Sequence, residues 1–361
     1  MSKDKNVCFL CGDLSRGGGT ERVVTDLCTE LLGEERYNLY IVDIMNVRDY
    51  TFFPLSSQIT YYSIGREKQS LVGKIACLYR FLRKKRIDIL INVDVMLTIY
   101  SYFPCKLSKT KNIAWEQFNY FNNIGSRNTN KIRSFAVRHL DYYINLTKGD
   151  MLTFKEKFKV TKPITYIYNF VRDNYWEEYD TSSKYLLTAG NFYPDKGMQW
   201  AIELGEKIFS KHKDWKWILC GDGLEFEKIK KQIEESHLNN NFILPGRVKN
   251  IEEYMRKAAI YVSLSKTEGF GLTILEAQNN RLPVIAFDVP FGPREIVENG
   301  VNGYLIEAFD MKMMEDKITF LIENVETRKI FSMESKKKFD VFSSENIIKQ
   351  WDKILNDVFV R

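Results

Sequence analysis

Short apolar runs of strand length recur along this chain, each followed by a turn and a helical stretch. In the first half the strand-like runs are 7–11, 38–44, 59–64, 88–93, 111–115, 142–146 and 164–168, with helical stretches at 20–32, 71–86, 97–107, 127–140 and 149–158. A second series opens at Tyr185 with 185–189 and continues through 216–220, 241–244, 260–264, 282–287 and 303–306. Strand, turn and helix in alternation is the pattern of a parallel α/β sheet. With 361 residues the chain is too long for one ordinary core and suits two. The expected fold class is therefore α/β, with two Rossmann-like domains. The polar stretch 173–184 reads as a linker between domain 1–172 and domain 185–343, and a last helix at 344–361 begins with N-cap chemistry at Ser343-Ser344-Glu345. Such sheets bind ligands at the carboxyl ends of their strands, so domains facing across a cleft would put those ends on its two walls.

Composition narrows the classes. Hydrophobic residues make up 44% and charged residues 28%, an ordinary globular balance. No apolar run reaches the roughly 18 residues a membrane span needs, and the start of the chain shows no signal-peptide pattern, so residence in the cytoplasm is expected. The six cysteines (8, 11, 28, 77, 105 and 220) are scattered, which favours free thiols over a disulfide framework. Cys8 and Cys11 form a C-x-x-C inside an apolar strand with no histidine beside it; core packing accounts for it better than zinc or redox chemistry. The net charge of +6 is lopsided, because residues 1–180 hold 27 basic and 20 acidic side chains. The acceptor of any transferred group is expected in that basic half.

Residues 268–276 read Glu-Gly-Phe-Gly-Leu-Thr-Ile-Leu-Glu between two strand-like runs. Glu268 then lies in the turn after a strand, and Gly269-Phe270-Gly271 opens a helix that carries Leu272, Thr273 and, two turns in, Glu276. A helix start offers unpaired N–H groups and partial positive charge, and glycines let a ligand approach them. Carboxylates beside such a site suit a ligand with both phosphates and hydroxyls, as in a nucleotide sugar. The plain alternative is an exposed, glycine-capped helix with two solvated glutamates.

The stretch Ser265-Lys-Thr-Glu-Gly-Phe-Gly-Leu-Thr-Ile-Leu-Glu-Ala-Gln278, followed by Leu282-Pro-Val-Ile-Ala286, resembles the signature of the family 4 retaining glycosyltransferases. That resemblance covers most of the chain and implies the GT-B fold, with the terminal helix crossing back onto the first domain. It also implies roles for further residues. Thr188-Ala-Gly-Asn-Phe-Tyr-Pro-Asp-Lys196-Gly197 resembles a family segment whose arginine and lysine grip the donor diphosphate. Lys196 matches the lysine and stands at an expected helix start; Asn191 replaces the arginine, which removes one charged hydrogen bond worth about 1.5–3 kcal/mol. Gly221, in the turn Cys220-Gly-Asp-Gly223, and Arg247-Val248, after 242–246, match segments near the nucleotide and its base, although a plain turn and an exposed arginine explain them nearly as well. Some family members carry a segment similar to Phe291-Gly-Pro-Arg-Glu-Ile296, so Arg294 and Glu295 would read sugar hydroxyls and are expected on the acceptor side.

In the first half, Gly17-Gly18-Gly19-Thr-Glu21 starts a helix after the first strand. Its conformational cost suggests close approach of a phosphate or sugar, and Gly18 and Gly19 match a family G-G-A-E-R. Relatives often carry a histidine after the fifth strand; here Glu116-Gln117 stands there, so both are expected on the acceptor side, where Gln117 would position groups only by hydrogen bonds. Helix 71–86 carries Leu71, Ile75, Leu78 and Leu82 on one face and ends in Arg83-Lys84-Lys85-Arg86, after Arg80. A solvated basic end is the ordinary reading; contact with an anionic membrane through 80–86 is the sharper one.

The expected function is transfer of a hexose or N-acetylhexosamine from a nucleoside diphosphate sugar to a glycan or lipid-linked acceptor in cell-surface polysaccharide or glycoconjugate synthesis, with retention. Lys196 and Glu268 are the expected catalytic residues, and Gly269, Phe270, Gly271, Leu272, Thr273 and Glu276 would bind the donor. UDP is the nucleotide implied by the resemblance, as co-substrate rather than cofactor. No Asp-x-Asp occurs, so no metal at the donor is expected, and nothing points to nucleic acid. A non-catalytic partner subunit and a nucleotide-sugar epimerase remain open alternatives; an NAD enzyme fits worse, since no dinucleotide fingerprint follows a strand.

Overall fold

The computed structural model describes residues 5–48, 50–67, 70–122, 128–172, 178–337 and 339–360, which form two compact units, Met1–Phe170 with Ser344–Arg361, and Val171–Ser343. Part of the linker expected at 173–184, residues 173–177, lies outside the described residues.

In the first unit the order is β1 (Lys5–Cys11), α1 (Gly19–Leu32), β2 (Tyr37–Asp43), β3 (Thr60–Ser63), α2 (Ile64–Glu67), α3 (Leu71–Lys85), β4 (Ile89–Val93), α4 (Thr98–Ser108), β5 (Lys111–Trp115), α5 (Thr129–His139), β6 (Tyr142–Asn145), α6 (Lys148–Lys157) and β7 (Ile164–Tyr166). The seven strands pair in parallel in the order β3-β2-β1-β4-β5-β6-β7. Strands buried on both faces read as continuous apolar runs rather than alternating ones, and β1 and β4 do so because helices cover both sides. Register matters for the site below: Val93 at the end of β4 lies beside Trp115 at the end of β5.

All six cysteines are free and buried, Cys8 and Cys11 within β1. Burial pushes the Cys8 and Cys11 thiols up, so they pack as small apolar groups. In α3 the buried face is Lys74, Cys77, Leu78, Phe81 and Leu82. Leu71, expected on that face, is 49% exposed because it sits in the first turn, before the helix meets the sheet.

The second unit runs β8 (Tyr185–Ala189), α7 (Trp200–Lys211), β9 (Lys216–Cys220), α8 (Phe226–Glu235), β10 (Phe242–Gly246), α9 (Glu252–Lys257), β11 (Ile260–Ser263), α10 (Leu272–Asn279), β12 (Val284–Asp288), α11 (Pro293–Ile296), β13 (Gly303–Glu307), α12 (Met311–Glu323) and α13 (Val325–Lys337). Its parallel sheet has the order β10-β9-β8-β11-β12-β13. Strand order reverses between β8 and β11, which makes the carboxyl ends of those two strands the switch point where open α/β sheets bind ligands.

The last helix, α14 (Ser344–Val360), belongs to the first unit and not to the second that precedes it. It buries Ile347, Ile348, Trp351, Ile354, Leu355 and Val358. The Trp351 ring meets Trp115 of β5 edge-on at 4.9 Å and lies 6.3 Å from Phe9 of β1. Tyr37 at the start of β2 donates its hydroxyl to Asp352 at 2.5 Å, fixing the helix along the sheet. No helix among the described residues is long and apolar enough to cross a membrane.

Candidate functional site

The donor candidates gather at the carboxyl edge of the second sheet. The segment after β8 turns through Asn191 and Phe192 into a single 3-10 turn, Pro194–Lys196, and stops at Gly197. Lys196 was expected at a helix start; it stands instead at the end of this turn, and α7 begins only at Trp200. Proline sets the turn's first dihedral, and Gly197 ends it with φ +66°. A Cβ on Gly197 would lie 2.1 Å from the Leu264 carbonyl oxygen, so only glycine lets this loop close onto the one after β11. Lys266 N–H donates to the Asp195 carbonyl at 2.7 Å and locks the two loops together.

That closure brings Lys196 to Glu268. The ammonium Nζ lies 2.8 Å from Glu268 Oε1, with the side chains 24% and 12% exposed. The two expected catalytic residues, 72 positions apart in sequence, thus form one ion pair across the switch point. The pair is half sheltered, accessible to a ligand yet shielded enough for charge to count.

Beyond Glu268, Gly271 caps α10 with φ +92°, and the helix starts at Leu272. Leu272 and Thr273, both partly exposed, are its first two residues, so their N–H groups have no acceptor within the helix. Glu276 is the fifth residue of α10, closer to the start than the two turns expected, and it is buried, 5% exposed. Phe270 is also buried and packs its ring 5.9 Å from Phe342. The aromatic side chain is therefore part of the core, and of this residue only the backbone stands at the edge. Tyr261 of β11 lies beneath: it donates to the Ala189 carbonyl at 3.1 Å, and burial pushes its phenol up, so it stays protonated and ties β11 to β8. Sequence reasoning missed Tyr261, because a tyrosine in an apolar strand carries no signal.

The remaining candidates of the second unit, the expected acceptor-side Arg294 and Glu295 among them, follow its strands. Gly221 follows β9 and comes so close to Gly190 that an added Cβ would lie 1.8 Å from its carbonyl oxygen; it is needed for loop packing whatever binds there. Asn191 and Val248 are partly exposed and Arg247 is exposed. Arg294, after β12, is 54% exposed and donates to Asp288 at 2.9 Å, while Glu295 is partly exposed. Both belong to the second unit.

In the first unit Gly18 is the N-cap of α1, with Gly19 its first residue. The Glu21 carboxylate folds back on Gly18: burial raises its proton affinity, and the Gly18 N–H it accepts lowers it in part. This is half of a capping box.

Glu116 differs most from expectation. It is fully buried, its Oε2 accepting from Arg133 at 2.8 Å and from the Tyr143 hydroxyl at 2.9 Å, its Oε1 from Phe118 N–H at 3.2 Å. Fully enclosed, it holds the 116–118 turn in place and is out of reach of a substrate. Gln117 is 7% exposed, and its amide Nε2 has no hydrogen-bond partner among the described residues. Asp94, directly after β4, was missed altogether. It has φ +102°, rare for any residue with a side chain, and burial with Glu116 nearby raises its carboxyl to about 7. Among the described residues no group of three His, Cys, Asp or Glu could hold a metal ion.

Comparison with known proteins gives this geometry a class. Residues 177–338, within the second unit, match the family model of glycosyl transferases group 1. An uncharacterized glycosyltransferase of Haemophilus influenzae is 26% identical over 359 residues, covering 97% of this chain and 100% of that one. The poly(ribitol-phosphate) alpha-N-acetylglucosaminyltransferase of Staphylococcus aureus is 30% identical over 230 residues, 63% of this chain but only 45% of the relative. Among solved structures, a mutant of S. aureus TarM in complex with Fondaparinux, alpha-GlcNAc-glycerol and UDP superposes with a TM-score of 0.84 at 18% identity, covering 98% of this chain and 99% of that one. The fold is that of the GT-B glycosyltransferases. Within the second unit, the chain is similar to the group 1 glycosyl transferases.

Proposed function

We propose that this chain is a family 4 enzyme that moves a hexose or N-acetylhexosamine from UDP to a hydroxyl of a glycan or lipid-linked acceptor, with retention at the anomeric carbon and without a metal, in the synthesis of a surface polysaccharide or glycoconjugate. The observation that carries the reading is the Lys196–Glu268 pair beside the free amides of α10. When a diphosphate arrives, its oxygens compete with Glu268 for the Lys196 ammonium, and the released carboxylate accepts from sugar hydroxyls. Departure of the sugar as an oxocarbenium-like species leaves charge on the diphosphate; Lys196 and the Leu272 and Thr273 N–H groups would offset it. Glu276, one turn in, would accept from the ribose hydroxyls. With Glu116 sealed in the core and no histidine in its place, the departing phosphate itself takes the acceptor's proton on the same face. The relatives' activities on poly(ribitol-phosphate) and poly(glycerol-phosphate) support a polymeric acceptor.

Isothermal titration of UDP and UDP-sugars into the full chain, followed by assay of slow hydrolysis of those that bind, tests the reading. We expect UDP binding that is unaffected by chelator. Hydrolysis should vanish in Glu268→Ala and Lys196→Ala while both variants stay folded. Activity that disappears with chelator and returns with manganese, or UDP binding indifferent to Lys196→Ala, would overturn it.

The basic end of α3 supports contact with an anionic membrane. Arg83, Arg86, Lys109 and Lys111 line one cavity of about 470 Å³ together with Asp88, an excess of cations over carboxylate. On the adjacent α4, Ile99, Phe103 and Leu107 form an exposed apolar stripe.

A further inference from the structure

The cavity of about 470 Å³ in the first unit lies at the amino edge of its sheet, the end away from the strands' carboxyl edge. Asp88 just before β4 and Lys111 at the start of β5 mark it, and the ends of α3 and α4 bring Arg83, Arg86 and Lys109 to it. Among the described residues that line it are thus four cations and one carboxylate. Like charges gathered in a concave space repel one another, so the arrangement favours an anionic ligand.

Helix polarity is the ordinary explanation, since cations collect where the last carbonyls of a helix carry partial negative charge. Here neutral groups already serve those carbonyls. The Asn6 amide donates to the Lys85 and Arg86 carbonyls at 3.3 and 2.9 Å, and the Thr110 hydroxyl donates to Ile87 at 2.9 Å. At the end of α4 the Ser108 hydroxyl donates to the Pro104 carbonyl at 2.8 Å, and Thr110 N–H to Cys105 at 3.0 Å. Lys111 opens a strand, where no helix end calls for it. Asp88 is partly used as well, its Oδ2 accepting from Asn6 N–H at 2.8 Å. The backbone adds a second anomaly. Both helices end in a left-handed residue, a position that favours glycine, yet Arg86 (φ +49°) and Lys109 (φ +64°) occupy it.

We propose that this cavity binds a phosphate monoester, its phosphate held among Arg83, Arg86, Lys109 and Lys111. Such a group carries close to two negative charges at neutral pH, and arginine forks pair with its oxygens two at a time. A carboxylate or a phosphate diester, with one charge, offsets less of the excess. The volume is that of a small-ligand pocket and exceeds what a bare phosphate fills. Leu82, Ile87 and Phe359 line the same space and offer apolar surface to the organic part of the ester. The ester is a small soluble molecule or a lipid headgroup. The inference does not rest on the transferase reading, and the membrane reading gains from it only if the ester is a lipid.

Isothermal titration of glycerol 3-phosphate and glucose 6-phosphate into the full chain tests the soluble source, with glycerol and acetate as controls at matched ionic strength. Co-sedimentation with vesicles of phosphatidic acid or phosphatidylglycerol, matched in surface charge, tests the lipid source. We expect one ester bound per chain at least tenfold tighter than acetate, or phosphatidic acid vesicles bound at least tenfold better than phosphatidylglycerol ones. Arg86→Gly, Lys109→Gly and Lys111→Met should each weaken that binding tenfold or more, while Lys155→Gln, which removes an exposed cation of α6, leaves it unchanged. The two glycine variants should unfold at the same or a higher temperature, because glycine suits their backbone. Binding should also persist in Lys196→Ala, which separates this cavity from the donor candidates. Failure of both esters and of phosphatidic acid to exceed their controls overturns the proposal. So does binding unchanged in the glycine variants, equally weakened in Lys155→Gln, or lost in Lys196→Ala. Ester binding without vesicle binding leaves the site in place and counts against the membrane reading alone.

Discussion

Lys196 and Glu268 show how little of this site is local in sequence. Each is unremarkable where it stands in the chain, and the pair exists because Gly197 lets one loop touch another. Lys196→Ala should lower the rate of sugar transfer by about 10²–10³, the range for removing one group that stabilises developing charge. Glu268→Gln, which keeps hydrogen bonding but loses the charge, should cost less; initial rates of UDP release measure both. Acidity gives a second test. Burial raises the carboxyls of Asp94 and Asp150 to about 7, Glu116 adding to both. Each therefore takes up a proton on folding between its unfolded value near 4 and about 7. Their stabilising contribution is complete below about pH 4 and is lost as pH rises through 7. Unfolding midpoints followed from pH 5 to 8 should fall more steeply in the wild-type protein than in Asp150→Asn. The α10 start was legible because glycines and a carboxylate after a strand form a readable pattern; that Lys196 meets this carboxylate was not. Asp94 was not, since a lone aspartate after an apolar run looks like any turn and its dihedral angle leaves no mark on composition. Glu116 was misplaced for a related reason: its partner Arg133 lies 17 residues away on α5, and only packing joins them.

At the scale of elements the strand pattern was legible to within a residue or two, because double burial forces continuous apolar runs that flanking turns delimit. Helix starts were less so. The segment before α7 carries both proline and glycine, and their combined effect, a 3-10 turn and then a delayed helix, depends on the loop after β11. Exposure was least legible of all. On α4, Ile99, Phe103 and Leu107 follow the spacing of a buried face but are 46%, 61% and 65% exposed, because Thr98, Ser101 and Cys105 face the sheet instead. With the cations of α3 alongside, this stripe should hold the chain on vesicles containing about 30% anionic lipid and release it from zwitterionic ones. Phe103→Ser with Leu107→Ser should weaken binding at all salt concentrations, whereas Arg83→Glu with Lys109→Glu should abolish its salt dependence. Co-sedimentation equal for both lipid compositions would count against membrane contact.

For the whole molecule, the path of the chain sets the terms. It builds most of the first unit, leaves to build all of the second, and returns with α14. Trp351 packs on this sheet against Phe9 of β1 and Trp115 of β5. Trp351→Ala should cost about 3–5 kcal/mol in the first unit, the usual range for emptying a buried aromatic site. Chemical denaturation should then show an early transition for that unit, while UDP binding to the second persists at denaturant concentrations just above it. Coincident loss of both would mean that the units unfold together.

The return of α14 also orders events at the ribosome. Since Phe9 and Trp115 wait for Trp351, more than two hundred further residues are translated after β5 before its sheet is covered. Throughout that interval Phe9 and Trp115 lack the ring that packs on them, while the later-made second unit can already close. A message cut short anywhere in its second half would yield a protein permanently in that state, a natural mark for degradation.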